Sequence, residues 1–327
     1  MRSSTILVLT LRSLAQETIK NLVLSGVGRL IVMDDKEVTE MDLGAGLLFR
    51  EDEGAVGQKR VEAALPQIQS LNPLVKIDPR PTLSPFQEGG SEEEMDAFLR
   101  DEKVDLVCAT DLTKKEMIKL NEACRRTGKL FYGAGSYGFI GYIFADLGQS
   151  YEWVMASGSA SGSGQAGSAN ANTKMTKKKV DCRTLSEALK SSPFEGLTKN
   201  QTKETVPSVI LGVQAVWEYQ ERHAGKLPQS EEEDLGELVE IAESMRKGLK
   251  INEKFMKEAP REVLAHLANG ASHEFAPTAA ILGGLLAQDI LRALSRKEKP
   301  VMNFLAVDTM AGTGTTTRWG MGVEQEV

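Results

Sequence analysis

The stretch ILVLTLRSLAQETIKNLVLSGVGRLIVMDD, residues 6–35, reads as strand, turn, helix, strand and acid. Residues 5–10 form a β-branched and leucine-rich run without polar alternation, which predicts a strand buried on both faces of a parallel sheet. Ala15, Ile19, Leu22 and Val23 recur at helical spacing, and Gly26 stands just past them, where a left-handed helix end favours glycine. Leu30-Ile31-Val32-Met33 predicts the second strand, which ends on Asp34 and Asp35. Units of this kind that hold a nucleotide carry glycines in the first turn, so that backbone N–H groups can approach phosphates. Here that turn is Thr10-Leu11-Arg12-Ser13-Leu14-Ala15 and contains none.

The alternation continues. Residues 56–71 predict a helix closed by Asn72-Pro73, and 75–77 a short strand. Ser91 precedes a helix with an acidic first turn; then follow a strand at 104–109, ending on Thr110-Asp111, a helix at 114–127 and a strand at 129–133. Such βαβα order predicts a doubly wound, mainly parallel sheet. The character changes at 157–172, SGSASGSGQAGSANAN, which can bury almost nothing and predicts a flexible loop. Beyond it, helices are predicted at 186–189, 206–222 and 235–249, the last behind the acidic run Glu231-Glu232-Glu233-Asp234, read as a solvated helix start. Residues 279–290 are apolar almost all round, which predicts a helix buried on all sides. Its central Gly283-Gly284 costs roughly 1 kcal/mol per glycine relative to alanine, a cost that close approach of another backbone would justify. A last strand is predicted at 301–308 and a loose tail from 312 to 322.

The 327 residues suffice for a large core, and 41% hydrophobic with 26% charged residues is a globular composition. No apolar run approaches the roughly 18 residues of a membrane span, and the start shows no small-residue cleavage pattern, so an intracellular protein is expected. The three cysteines, Cys108, Cys124 and Cys182, form no CxxC, and the histidines lack ligand spacing; neither a disulfide scaffold nor a zinc site is expected. A net charge of −7 gives no reason to expect nucleic acid as a partner.

Two segments, VLSGVGRLIVMDDKEVTEMDLGAGLLF at 23–49 and VGQKRVEAALPQIQSLNP at 56–73, together resemble the adenylation domain of ubiquitin-like protein activating enzymes, whose bacterial relatives are the ThiF and MoeB adenylyltransferases. FYGAGSYGFIGYIFADLG, TKKKVDCRTLSEALK and EFAPTAAILGGLLAQDILRALSRKEKPVMNFLAVD resemble one branch, the small non-catalytic subunits of SUMO-activating enzymes. The likeness runs from residue 5 to about 314, apart from the glycine-rich stretch near 160. It implies a Rossmann-like α/β fold with a partly helical insertion: adenylation-type domain at 1–154, loop at 155–173, insertion at 174–270, and the last helix and strand with a tail at 271–327.

The family uses ATP and Mg²⁺ to adenylate the modifier's C-terminal glycine, then captures the acyl group as a thioester on a cysteine. In the SUMO branch the resemblance places both steps on the large catalytic subunit, with which the small one forms a pseudo-symmetric heterodimer. It therefore implies no cofactor bound by this chain, ATP and Mg in the partner, access to SUMO and the conjugating enzyme through the complex, and a nuclear location shared with the cytoplasm. It also implies a segment before the first strand whose arginine reaches the partner's ATP site; the sequence at hand begins at the strand.

Against the family's site, Thr10, Ser13 and Ala15 stand for the three glycines, Ala45 and Gly46 for an arginine and glutamine that clamp phosphates, and Arg60 for a phosphate-contacting lysine. Asp34 matches the ribose-binding acid and Asp111 the Mg²⁺-binding one, although acids at strand ends also cap turns. With the phosphate-handling parts altered together, the chain's own nucleotide site is expected to be inactive. Cys108 and Cys124 read as core residues and Cys182 as the most exposed thiol, none matching a catalytic position. Lys177-Lys178-Lys179 reads as a charged edge strand or part of a nuclear localisation signal. The segment with Phe275, Pro277, Ile281, Gly283, Gly284 and Gln288 is expected at the dimer interface. The alternatives are the small subunit of the NEDD8-activating enzyme, a self-sufficient ThiF/MoeB-type adenylyltransferase, which would need the glycine loop and arginine–glutamine pair, and an NAD-dependent oxidoreductase, which the missing glycines disfavour.

Overall fold

The computed structural model describes residues 1–87, 89–156 and 175–327. The stretch 157–172, expected as a loop, lies outside them, and strand β7 (Tyr151–Ala156) takes in the last two residues before it.

Strand β1 (Thr5–Leu9), helix α1 (Ser13–Leu24) and strand β2 (Arg29–Met33) form where the opening stretch predicts them. Every side chain of β1 is buried: Ile6 and Val8 join the core on one face of the sheet, Leu7 and Leu9 the core on the other. Alternation would have left one face wet, and its absence is what seats this strand in the middle of the sheet. Helix α2 (Glu40–Ala45), α3 (Arg60–Leu71) and β3 (Lys76–Arg80) follow. The helix predicted over 56–71 begins only at Arg60. The residues before it are held in a turn, with Gly57 and Gln58 bonded to Val38, a bridge from Glu37 to Lys59, and Gly57 at φ +84°, outside helical geometry.

Next come α4 (Glu92–Asp101), β4 (Leu106–Thr110), α5 (Lys114–Thr127), β5 (Leu130–Tyr137), β6 (Ile140–Asp146) and β7. Ser91 caps α4 as predicted, its side chain accepting the Glu94 N–H while Glu94 reaches back. After the undescribed stretch come β8 (Met175–Val180), α6 (Leu185–Ala188), α7 (Lys199–Glu204), α8 (Pro207–Arg222), α9 (Glu232–Gly248) and α10 (Arg261–Gly270), then α11 (Ala276–Ser295), β9 (Phe304–Asp308), β10 (Thr313–Thr317) and β11 (Gln325–Glu326).

The main sheet has eight strands in the order β10-β9-β6-β5-β4-β1-β2-β3. From β3 to β5 neighbouring strands are parallel; from β5 outward to β10 they are antiparallel. The antiparallel part starts with the β5–β6 hairpin, which turns at Gly138 with φ +58°. One face is covered by α1, α3 and α11, the other by α4, α5 and α8 with its neighbouring helices.

Three expectations are corrected. Residues 312–322 are not a loose tail: β10 pairs with β9, and Trp319 is buried, stacked on Phe304 with centroids 4.2 Å apart, its backbone N–H donating to Asn303 Oδ1 at 2.8 Å and its indole N–H to Thr317 Oγ1 at 2.9 Å. The lysine run is not an edge, because β8 is the middle strand of a second sheet, β11-β8-β7, with Lys177 paired to Glu152 at 2.7 Å. Helix α11 is not buried on all sides. Its inner side packs on α1 and β6, while Phe275, Ile281 and Leu285 are 38%, 49% and 39% exposed, so the apolar surface left over by the chain's own packing forms one outward stripe.

The two glycines of α11 separate on this basis. A Cβ at Gly283 would lie 2.6 Å from Glu17 Cβ and 3.1 Å from the Thr18 nitrogen, whereas one at Gly284 meets nothing within 4 Å. Close approach of a backbone therefore explains Gly283 alone. Gly283→Ala is expected to destabilise the chain by about 1–3 kcal/mol through displacement of α1, and Gly284→Ala to leave it unchanged or stabilise it by up to about 1 kcal/mol through helix propensity. Urea unfolding of the two variants measures both; equal losses would remove the distinction.

Candidate functional site

The first turn joins β1 to α1 against the end of β4. Thr10 takes φ +67°, the left-handed region where glycine is at ease. Its hydroxyl donates to the Thr110 carbonyl at 2.7 Å and lies 2.9 Å from Thr110 Oγ1, so bonds across to β4 hold a conformation that its Cβ disfavours. The turn thus takes a left-handed residue without a glycine. Ser13 and Ala15 are fully buried, and the Ser13 Oγ has no hydrogen-bond partner among the described residues.

Asp34, at the end of β2, is buried and bonded inward: Oδ2 accepts the Leu11 N–H at 2.7 Å and Oδ1 the Lys36 N–H at 2.7 Å. Arg60 opens α3 and directs its guanidinium back to the same place, with Nη2 2.8 Å from Asp42 Oδ1 and Nη1 3.5 Å from Asp34 Oδ2. Asp42 also closes the capping box of α2 by accepting the Thr39 N–H at 2.8 Å. At Gly46 a Cβ would stand 2.6 Å from the Asp42 carbonyl and 2.9 Å from the Gln16 side chain. Gln16 fills that space while its Oε1 accepts the Leu48 N–H at 2.9 Å, so this backbone has no room for a glutamine side chain at 46.

Arg12 and Glu274 complete the cluster. Glu274 lies just before α11, 262 residues along the chain from Arg12, yet its Oε1 accepts from Arg12 Nε and its Oε2 accepts the Ser13 N–H at 2.9 Å. Its carboxylate therefore sits at the N-terminus of α1, the electropositive end that attracts anions. Burial pulls the Arg12 guanidinium down, and Asp111 and Glu274 beside it more than offset this, leaving it above its ordinary value. Asp111, at φ +53°, accepts the Ser136 N–H at 3.2 Å. Desolvation pushes its carboxyl up to about 6, against the pull of Arg12 and with a further push from Glu274.

The structure places Thr10 in the turn before α1, Ser13 and Ala15 in the first turn of that helix, Asp34 against Leu11 with Arg60 beside it, and Asp111 just past β4. The sequence reading misses Arg12, Asp42 and Glu274, the groups that answer the site's charges. The residues do not fit a nucleotide's phosphates: an anion drawn to the α1 terminus would stand against the Glu274 carboxylate, and the nearby guanidiniums already face carboxylates. Among the described residues no His, Cys, Asp and Glu group is placed to hold a metal, and no helix is long and apolar enough to cross a membrane. Cys182, expected as the most exposed thiol, is 2% exposed: it belongs to the core that holds Tyr151 and Trp153, and its carbonyl accepts from Arg125 Nη2 at 2.6 Å. Burial raises all three thiols, Cys108 and Cys182 to about 12.

Of the tentative interface residues, Phe275, Pro277, Ile281 and Gln288 are exposed and Gly284 is open outward, while Gly283 is buried against α1.

The raised Asp111 carries a pH signature. Its folded value of about 6 exceeds the roughly 3.9 of an unfolded aspartate. The folded state therefore binds the extra proton, and the stability this contributes is present below about pH 4 and lost as pH rises through about 6. In Asp111→Asn that dependence is absent. Urea unfolding from about pH 4 to about pH 7 is expected to show the parent losing stability relative to the variant across this window; a constant difference would contradict it.

The ThiF family model matches residues 1–321. Among curated proteins the chain is 31% identical over 326 residues to SUMO-activating enzyme subunit 1 of Rattus norvegicus, covering 96% of this chain and 87% of the relative. The protein of that name from Homo sapiens is also 31% identical over 326 residues, at 96% and 88% coverage, and that from Danio rerio 29% over 328 residues, at 96% and 88%. With a family match that takes in both the glycine-free turn and the helix behind Glu274, the chain belongs to the ThiF family.

Proposed function

We propose that this chain is the small regulatory subunit of a heterodimeric SUMO-activating enzyme, and that its own nucleotide site is inactive. ATP and Mg²⁺ bind in the large catalytic subunit, which adenylates the C-terminal glycine of SUMO and carries the thioester; the conjugating enzyme is reached through the complex. The complex works in the nucleus, with a share in the cytoplasm. The names of the relatives support the SUMO branch. The observation that carries the inactive site is the engagement of Arg12, Arg60 and the α1 terminus by Glu274, Asp34 and Asp42 within the chain. An acyl-thioester nucleophile must be an accessible thiolate, and burial that holds Cys108 and Cys182 near 12 argues against either in this role.

The outward stripe of α11 supports a place for the partner. Pro277, Ile281, Leu285 and Gln288 follow helical spacing along one side, and Phe275, extended just before the helix, packs beside Phe139 with ring centroids 4.6 Å apart. The inner side of the same helix is locked to the sheet, so the stripe is presented on a rigid support.

Two measurements test the reading. Mixed with a large subunit, ATP, Mg²⁺ and one modifier at a time, the pair is expected to form a thioester with SUMO, on the large subunit only; thioester formation with another modifier instead, or on this chain, would overturn it. The isolated chain is expected to show no ATP–pyrophosphate exchange, and Thr10→Gly, Ser13→Gly and Ala15→Gly together are expected not to restore it, because the carboxylates facing Arg12, Arg60 and the helix end remain. Exchange activity in the parent chain would instead favour a self-sufficient adenylyltransferase.

A further inference from the structure

We infer that Glu274 is an internal ligand of this chain: its carboxylate occupies the anion-binding end of α1 in the place of a phosphate, closes that end to external oxyanions, and ties it to the start of α11. This deepens the proposal of an inactive nucleotide site, but it rests on contacts within this chain alone.

A helix N-terminus presents N–H groups without intrahelical partners and a partial positive charge, which an anion satisfies. At α1 no neighbouring residue does so: the residue before the helix, Arg12, makes no side-chain cap, and the first turn contains no acid. The anion comes instead from the far end of the chain. Both oxygens of Glu274 are engaged there, one by the Ser13 N–H and one by the Arg12 guanidinium, and its side chain is only 14% exposed. A helix end, an arginine and a hydroxyl are the groups that receive a tetrahedral oxyanion. The third stands on the residue whose N–H Glu274 takes: the Ser13 Oγ is buried and has no partner among the described residues. Because Glu274 immediately precedes Phe275, the residue that caps α11, the same contact fixes where the outward stripe begins.

Removing the carboxylate should therefore uncover an oxyanion site. Glu274→Ala and the milder Glu274→Gln, made in the full chain, are each expected to lower Tm by roughly 3–6 °C, the loss of a charge-assisted pair in a chain of this size. Inorganic phosphate on the order of 10 mM, at ionic strength matched with chloride, is then expected to restore at least half of that loss in the variants. Phosphate also stabilises folded proteins in general by exclusion from their surface, so the readout is the response of each variant beyond that of the parent. In Arg12→Ala/Glu274→Ala the rescue is expected to shrink to the parent's response.

If neither single variant responds to phosphate more than the parent does, or if rescue survives undiminished without Arg12, Glu274 is not the occupant of an oxyanion site and the inference fails. Should Glu274→Ala not fold, Glu274→Gln is scored by the same criteria. None of these outcomes depends on a partner or a modifier. The inference can therefore fail while the thioester assay succeeds, and the reverse.

Discussion

Helix α11 lies so close to α1 that only a glycine fits at 283, and most of the molecule's architecture follows from that contact. Ile19 and Leu22 of α1 and Leu282, Leu286 and Ile290 of α11 share one core over the sheet. Next to this contact α11 presses on β6, where a Cβ at Gly141 would stand 2.6 Å from Leu282 Cδ2. Two carboxylates then hold the helix along its length. Before its start, Glu274 binds the α1 terminus; near its end, buried Asp289 accepts the Tyr132 hydroxyl at 2.7 Å and the Val301 N–H at 2.9 Å, which directs the chain back into β9. A helix seated between two backbones and pinned at both ends has little freedom, so the stripe it turns outward is a defined surface.

The parallel half of the sheet was legible because its signals are local. The unalternated run of β1, the helical spacing of α1 with Gly26 past its end, and the cap Ser91 each act within a few residues, and each element formed where those signals stand. The misses came where a distant partner decides. Trp319 belongs to the core because Phe304 and Asn303 receive it, and nothing in its glycine- and threonine-rich surroundings announces a strand. The helix expected from Val56 starts late because Val38 and Glu37 capture the residues before Arg60. The apolar sequence of α11 could not show which side the chain covers itself and which it leaves open, since both sides carry the same kinds of residue.

The site divides in the same way. The missing glycines and the surviving acids Asp34 and Asp111 could be read one residue at a time. Their consequence could not, because it depends on pairings. Thr10 in a left-handed conformation looks prohibitive until its hydroxyl is seen bonded to Thr110. Arg60 looks like a retained cation until Asp42 is found against it. Glu274 carried no mark in the sequence, where it is one acid between a histidine and a phenylalanine.

These pairings follow one rule. A buried guanidinium or an unanswered helix end costs several kcal/mol unless an opposite charge or hydrogen-bond partner meets it. Where ATP binds, its phosphates are that partner, and the fold around them is completed by the ligand. In this chain carboxylates of its own face those groups. Here they come from three separate parts of the sequence: Asp34 at a strand end, Asp42 in a capping box and Glu274 before the last helix. Because the last of these immediately precedes the residue before α11, the same contact ties the beginning of the outward stripe to α1.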